Sequence, residues 1–560
     1  MITMDTINTT NTMRDSITKK EVKRILLIEP PRTVPIEFMA KARPGVQPPI
    51  GLAYIAAVLE KNNFIVKILD AIVEDPQCHI GREIEPGIYR YGLDDADIIK
   101  HIKDFQPDVI GVSCTITTKY KDAKRLFKLI KSIDPNYITV TGGVHPTFDT
   151  KNVLSDDNLD YAVLGEADYS FLELMNFLNG ELKFDDLDGI ALRINHEIRI
   201  IPKTKAIENL DELPFPARHL IPNQKYWEVN LPQGEATRTP WATLVTSRGC
   251  PASCIYCSAP IMWGQKYRAR SAEHVLGEIE YLIGKYDVKE FLILDDNFTF
   301  NKERTIKILD GIIDGIENKG WDMTWTTPNG IATYALDRDI LERIKRSGCA
   351  SITLAIESGC QRVVSKVIKK PLSLEKAEDI INIAKDVGLK TRAFFMLGTP
   401  GETKAEMDMT LEFAKKLGID WLCFSITTPL PGTELFKTCW DNNYIDRNLD
   451  FNQILFGFTL IHTDEFDEDY INKLWQKANS LNFLENPNLR EGGSVEQAIK
   501  DFKRVIRIAP GHELAHYALG LAYEKKNLTE EAIKEWKTVL SVNENNELAK
   551  AALSKYNQEV

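Results

Sequence analysis

A chain of 560 residues is too long for one hydrophobic core and predicts roughly two to four domains. Apolar side chains make up 43% of it and charged ones 27%, an ordinary globular balance, and 69 basic against 81 acidic residues give a formal charge of -12 that argues against a broad nucleic-acid-binding face. No apolar run reaches the roughly 18 residues that a membrane-spanning helix needs, and nine cysteines, an odd and mostly scattered number, fit a reducing cytoplasm better than a disulfide framework.

Residues 1–20, rich in Thr and Asn without a charged-then-apolar order, read as a disordered tail and not as a signal peptide. From Arg24, short apolar runs alternate with amphipathic stretches. Ile25–Ile28, Ile65–Leu69, Val109–Ser113, Ile138–Thr141 and Tyr161–Leu164 predict strands. Gly51–Lys61, Asp95–Phe105 and Tyr120–Ile133, with apolar residues three and four apart, predict helices between them. This alternation predicts an α/β domain over 21–187, a flavodoxin-like doubly wound parallel sheet with its ligand crevice at the strand carboxyl ends. Two small-residue turns fall there: Ser113-Cys114-Thr115-Ile116-Thr117-Thr118 after the third strand and Gly142-Gly143-Val144-His145-Pro146-Thr147 after the fourth. Read alone, each is tight-turn chemistry. Together, on adjacent strands, they offer hydroxyls and bare backbone to a large ligand. Ile190–Ile194 and Ile198–Ile201, around Asn195-His196-Glu197, predict a hairpin, and Leu213-Pro214-Phe215-Pro216-Ala217-Arg218 an extended linker, the two together filling 188–235.

Strand signals return at Thr243–Thr246, Phe291–Leu294, Met323–Thr326, Ser351–Ile356, Arg392–Leu397 and Trp421–Thr427. Helical ones lie between them at Ala272–Lys285, Arg304–Glu317, Ile340–Arg346, Leu374–Val387 and Lys404–Leu417. Six such units over 236–445 predict a partial (β/α)6 barrel. Each strand ends in unusual residues: Cys250-Pro251-Ala252-Ser253-Cys254-Ile255-Tyr256-Cys257, then Asp295-Asp296-Asn297, Pro328-Asn329-Gly330, Glu357-Ser358-Gly359, Gly398-Thr399-Pro400-Gly401-Glu402 and Pro429-Leu430-Pro431-Gly432-Thr433. One of these would be turn punctuation; six at one rim point to an active site, which such barrels build at that face. Three thiols at C-x3-C-x2-C spacing suit one soft metal centre. A structural zinc site would want a fourth ligand nearer than His274 or Cys349, and a redox reading of Cys254 and Cys257 leaves Cys250 without a role. A cubane cluster needs four ligands, so Cys250, Cys254 and Cys257 would leave one iron open. Cys349, Cys360, Cys423 and Cys439 read as buried small hydrophobes.

The cysteine motif, with its aromatic Tyr256, resembles the signature of radical S-adenosylmethionine (SAM) enzymes, in which a [4Fe-4S] cluster chelates SAM at its open iron and reductive cleavage gives a 5′-deoxyadenosyl radical. The resemblance implies SAM as a ligand of this rim. Glu357, with Ser358 beside it, suits the ribose diol; Asp295, Asp296 and Asn297 stand where the family often has Gly-Gly-Glu and can accept from the amino group. Gly398, Pro400 and Gly401 would bring the adenine to backbone, Tyr256 would contact it, and Arg392 would hold the carboxylate. An external reductant such as flavodoxin or ferredoxin is implied as well.

The two amino-terminal turns resemble the serine-x-hydrophobe and Gly-Gly motifs of cobalamin-binding domains, over roughly 22–182, with Thr115 in the hydrophobe's place. Ser113, Thr115, Thr117, Gly142 and Gly143 are then the cobalamin contacts. The Asp-x-His-x-x-Gly motif that supplies a cobalt ligand is replaced by Asp70-Ala71-Ile72-Val73-Glu74-Asp75, and His79 is out of place, so the resemblance implies His-off cobalamin. His145 reads as a satisfied loop histidine or a neighbour of the nucleotide tail. Arg43-Pro44-Gly45-Val46-Gln47-Pro48-Pro49-Ile50-Gly51 also resembles the cobalamin-binding radical SAM branch and would line the cobalamin face turned to the barrel.

Past a helical extension over 446–490, a repeat of 34 residues over 491–560 (Ala498-Ile499 as Ala532-Ile533, Phe502 as Trp536, Ala518-Leu519 as Ala552-Leu553) resembles tetratricopeptide (TPR) helix pairs. Two units are fewer than a free-standing array needs, so the segment packs on the enzyme or binds a protein partner. The chain as a whole reads as a cytoplasmic, cobalamin-dependent radical SAM enzyme, with methylation of an unactivated carbon of a small-molecule or lipid metabolite as the first expectation. A radical oxidoreductase or cyclase using cobalamin otherwise, and a non-enzymatic scaffold or cofactor sensor, are the alternatives; neither nucleic acid nor a membrane span is expected.

Overall fold

The computed structural model describes residues 21–36, 45–75, 77, 80–194, 197–230, 236–449 and 457–556. The expectations for residues 1–20, for His79, for the hairpin turn at 195–196 and for the start of the 43–51 segment lie outside them.

The first unit is a seven-stranded sheet of β1 (Arg24–Glu29), β2 (Ile65–Asp70), β3 (Val109–Ser113), β4 (Ile138–Gly142), β5 (Tyr161–Val163), β6 (Ile190–Ile194) and β7 (Glu197–Ile201), in the order β7-β6-β5-β4-β3-β1-β2. The first five strands are parallel, and the hairpin β6–β7 adds antiparallel on the β5 side. Strand β1 explains the sequence signature: its residues from Ile25 onward are all buried, with Ile25 and Leu27 entering one core and Leu26 and Ile28 the other. A parallel sheet covered by helices on both faces reads as a continuous apolar run for this reason. A small sheet of Arg32–Pro35, Ile88–Tyr91 and Arg82–Glu85 lies outside this pattern.

The second unit holds six parallel strands in sequence order, β8 (Trp241–Leu244), β9 (Glu290–Ile293), β10 (Thr324–Thr326), β11 (Cys349–Glu357), β12 (Thr391–Leu397) and β13 (Trp421–Ile426). The intervening helices start where a side chain accepts from a first-turn N–H, at Ser271, Asn301, Asp337, Ser373 and Thr403. β8 stops before Thr246 because Thr246 turns aside to Asp295: its N–H and hydroxyl donate to the two carboxylate oxygens at 2.6 and 2.5 Å, and the Ser247 hydroxyl adds a third bond at 2.6 Å.

Six strands leave β13 as an open edge, and helix Glu468–Leu484 covers it. Asn482 accepts from Leu422 N at 2.8 Å and donates to Leu422 O at 2.7 Å, substituting for a missing strand. Two helix pairs follow, Val495–Ile508 with Glu513–Lys525 and Thr529–Val542 with Glu547–Ser554. The large-against-small order of the repeat is visible at Gly520, where an added Cβ would stand 2.3 Å from the Trp536 indole nitrogen.

Candidate functional site: two cavities with a common wall

The three cysteines border a cavity of about 500 Å³ at the carboxyl ends of the barrel strands, a volume in the ~300–1,000 Å³ range of small-molecule sites. Each thiol is half-buried, and burial raises the Cys254 thiol and pushes Cys257 up to about 11. A bound soft metal would supply the charge that keeps such thiols ionised. Among the described residues no three of His, Cys, Asp and Glu meet at a point that would hold a single ion. A cubane, which binds each thiolate through a different iron, needs thiols around it rather than at one point. Three thiols on one cavity wall, with no further thiol or imidazole bordering it among the described residues, suit a cluster that keeps one iron open.

Glu357 closes β11 at φ +72, a left-handed backbone that costs a non-glycine residue energy and marks sites where position matters. Its carboxylate accepts from the Tyr256 hydroxyl and from Lys370 Nζ, both at 2.8 Å. Burial pulls the Lys370 ammonium down, but Glu357 and the thiols of Cys254 and Cys250 outweigh it and hold it above its usual value. Lys370 belongs to no recognisable motif, and only the structure reveals it. Asn297 donates to the Tyr334 hydroxyl at 2.6 Å and stands 3.9 Å from the Cys250 sulfur. Asp296 opens into the cavity, its carboxyl raised to about 6 by desolvation and by Asp295 next to it.

Other rim residues do not border the cavity. Asp295 is turned inward to Thr246 and Ser247, and the Ser358 hydroxyl lies against that of Thr410 at 3.0 Å while accepting from Cys360 N. An added Cβ on Gly398 would meet Ile471 at 2.9 Å and one on Gly401 would meet Val367; from β12 it is Phe394 and Met396 that reach the cavity, not Gly398, Pro400 or Gly401. Arg392 is the second residue of β12, at the opposite end of the barrel, where with Arg504 and Arg507 it borders a separate cavity of about 510 Å³. It is not among the residues that border the cysteine cavity.

A third cavity, of about 420 Å³, opens at the carboxyl ends of β3 and β4. Ser113, Thr115, Gly142 and Gly143 border it, as do the apolar Leu27, Val140, Val163 and Phe171. Gly143 has φ +122, and a Cβ there would lie 2.4 Å from Cys114 O. At Gly111, also on the wall, a Cβ would press on Leu27 at 2.9 Å and Phe171 at 3.3 Å. Bare backbone, two hydroxyls and an apolar slot fit a cobalamin and its nucleotide tail. Ile72 occupies the place of the missing cobalt-ligating histidine and borders the cavity. Asp70 of the same motif is buried behind it, accepting from Ile72 N at 2.9 Å and from the Tyr226 hydroxyl. Thr117 is turned away from the cavity, towards His145 Nδ1 at 3.3 Å. His145 is fully buried and lies against the ring of Tyr120; burial pushes it down to about 4, and its Nε2 has no hydrogen-bond partner among the described residues, so the loop histidine is only half satisfied there.

The segment 248–263 walls both cavities. Cys250, Cys254, Tyr256, Cys257 and Pro260 face the first, while Arg248, Met262 and Trp263 face the third.

The B12 binding domain family matches residues 37–175, the radical SAM superfamily 244–414 and a TPR repeat 488–527. Cytidylyl-2-hydroxyethylphosphonate methyltransferase of Streptomyces wedmorensis is 34% identical over 455 residues, 76% of this chain and 83% of that protein. An uncharacterized methyltransferase of Pyrococcus horikoshii is 31% identical over 87% of this chain and 99% of its own length. The anaerobic magnesium-protoporphyrin IX monomethyl ester cyclase of Rubrivivax gelatinosus is 25% identical, covering 76% of this chain and 71% of that one. Among solved structures, OxsB with aqua-cobalamin and SAM bound aligns with a TM-score of 0.64 at 17% identity, covering 96% of this chain and 75% of that one. TsrM from Kitasatospora setae, with cobalamin and a [4Fe-4S] cluster, aligns with a TM-score of 0.60 at 14% identity, covering 75% and 78%. These two likenesses carry the fold.

Proposed function

Because the chain belongs to the cobalamin-dependent radical SAM enzymes, whose cofactors are a [4Fe-4S] cluster, SAM and cobalamin, we propose that it transfers a methyl group to an unactivated carbon of a small-molecule or lipid metabolite. The observation that carries this reading is the wall 248–263, which puts three thiols on one side and the cobalamin cavity on the other. Bound there, the cluster would supply the electron that cleaves SAM to the 5′-deoxyadenosyl radical, and the cobalamin would supply the methyl group.

The protein's own part is to bind and orient. Cys250, Cys254 and Cys257 hold the cluster. Glu357 is fixed by Tyr256 and Lys370 to accept from the ribose diol, and Asp296 and Asn297 accept from the amino group. Lys370, which borders the cysteine cavity where Arg392 does not, is the cation this reading assigns to the SAM carboxylate. Ser113, Thr115, Gly142 and Gly143 receive the cobalamin, and Ile72 offers no nitrogen from the histidine position, which supports the His-off arrangement. A flavodoxin or ferredoxin is the reductant of this reading.

Anaerobic turnover with methyl-labelled SAM and a whole-cell extract tests it. One SAM is consumed to abstract the hydrogen and a second to renew the methyl group, so 5′-deoxyadenosine and S-adenosylhomocysteine should form in a ratio near one, with the label in the product. 5′-Deoxyadenosine without S-adenosylhomocysteine, and an unlabelled product, would move the assignment to an oxidoreductase or cyclase. A reconstituted chain that binds no iron would leave only the scaffold or sensor.

A further inference from the structure

Arg248 precedes Cys250 by two residues and ends a ribbon of only two residues a side, Ser247–Arg248 against Arg268–Ala269. Arg248 and Arg268 are directly opposed in its register, and each is 4% exposed. Like charges placed cross-strand repel, and out of water neither is tolerated without a counter-charge. Among the described residues, the carboxylates paired with them come from the amino-terminal unit and not from the barrel. Arg248 Nη1 donates to Glu166 Oε1 at 2.6 Å and to Asp168 Oδ2 at 2.7 Å, and its Nη2 to Asp168 Oδ1 at 3.1 Å. Arg268 Nη1 donates to the other Glu166 oxygen at 2.8 Å. Two cations thus meet two carboxylates of the amino-terminal unit, with Glu166 shared one oxygen to each arginine. The Arg248 guanidinium is held further by the rings of Tyr54, at 5.4 Å, and Trp263, at 4.9 Å.

Little lies between this clamp and the cluster site. Gly249 alone separates Arg248 from Cys250. It has φ +83, and a Cβ on it would lie 2.4 Å from Lys266 O, so the link is short and closely packed. On the other side Arg248 and Asp168 themselves border the cobalamin cavity, together with Met262 and Trp263 from beyond the cysteine loop. Arg248 is thus one residue from the first thiol and is itself part of the wall of the cobalamin cavity.

We propose that the quartet Arg248, Arg268, Glu166 and Asp168 is a latch that fixes the separation and relative orientation of the two cofactor sites, with Arg248 as its positioning residue. A fork of planar donors is required for this, since a lysine provides the charge without the two-point geometry. The latch explains why two arginines stand side by side on so short a ribbon, which burial alone does not.

The test uses the full chain reconstituted with iron, sulfide and hydroxocobalamin and reduced with dithionite, so that cluster and cobalt each carry an unpaired spin. Pulsed electron paramagnetic resonance then reads the dipolar splitting between them. The wild type should give one narrow distribution of splittings; Arg248→Gln should broaden it and shift its centre, and Arg248→Lys should fall between the two. A variant that melts at lower temperature but keeps the wild-type splitting would show a merely structural residue and overturn the proposal. If Arg248→Gln no longer takes up both cofactors, Asp168→Asn, which leaves Arg248 bonded to Glu166, is read in the same way. It should broaden the distribution, and an unchanged splitting there overturns the latch equally.

Discussion

Replacing Asp70 with Asn should remove a pH dependence of folding that the wild-type cobalamin-binding unit carries between roughly pH 4 and 7. Asp70 is 1% exposed, with Glu29 close by. Desolvation first and Glu29 second raise its carboxyl from 3.8 to about 7, against the bonds it accepts from Tyr226, Val73 and Ile72. The folded chain therefore holds a proton that the unfolded chain has released across this window. Folding takes up that proton, so stability is greatest below the unfolded value and is lost as the pH rises to the folded one. The slope is about 1.4 kcal/mol per pH unit, or on the order of 4 kcal/mol across the window. Asn has the same shape, keeps an oxygen for Ile72 N and does not titrate. Because a chain of several units does not unfold in one step, the measurement is hydrogen exchange of the β2 amides along the pH series, corrected for intrinsic rates. A wild-type profile that stays parallel to that of D70N would refute the raised carboxyl and with it the account of the vacated motif.

Three further outcomes follow from the site. Alanine at Cys250, Cys254 or Cys257 should abolish SAM cleavage, and the triple variant should lose the roughly four irons of a cubane, measured as iron per chain and as 5′-deoxyadenosine released. Lys370→Met should weaken SAM binding about 10- to 150-fold, the worth of a charge-assisted bond of about 1.5–3 kcal/mol, whereas Arg392→Gln should leave it unchanged; equilibrium dialysis separates the two, and the reverse result would restore the carboxylate to Arg392. Gly111→Leu should push Leu27 and Phe171 into the tail slot and abolish cobalamin uptake in a spectrophotometric titration while iron content stays intact. Gly143 is a poorer probe, since its positive φ and the 2.4 Å approach to Cys114 O would strain any substitution whether or not cobalamin binds there.

Elements with a local cause were legible. Helix Asp95–Phe105 runs as expected because Asp94 caps it and the backbone turns left-handed at Gln106, and helix Lys404–Leu417 has a full capping box at Thr403 and Glu406. The end of β8 was not legible, because it is decided by Asp295, a residue about fifty positions away. Nor was the ribbon at 247–248 and 268–269, too short to show any period. In the site, the rim loops stand at the strand ends where alternation put them, but the direction of each side chain depends on the turn. Asp296 reaches the cavity while Asp295 points inward, and Glu357 reaches it while Ser358 does not. Arg392 shows the same limit along a strand. Period-two alternation puts it on the face of Phe394 and Met396, yet it lies two residues nearer the amino end, and that places it at the far mouth of the barrel.

The carboxyl-terminal repeats meet a physical constraint that the barrel meets as well. Two helix pairs bury too little apolar surface to stand alone, and a six-stranded barrel has an edge with unpaired backbone groups. Each supplies what the other lacks. Asn482 satisfies Leu422 on the edge strand, and Phe483, from the same helix, packs at once on Trp421 of β13 and Phe502 of the first repeat, with centroids 5.8 Å apart in each case. Arg504 of that repeat lies over Trp421 at 5.6 Å. The first pair is thereby part of the barrel's own closure, and the second pair builds its core of Trp536, Val539 and Leu553 on Gly520 and Tyr517 of the first.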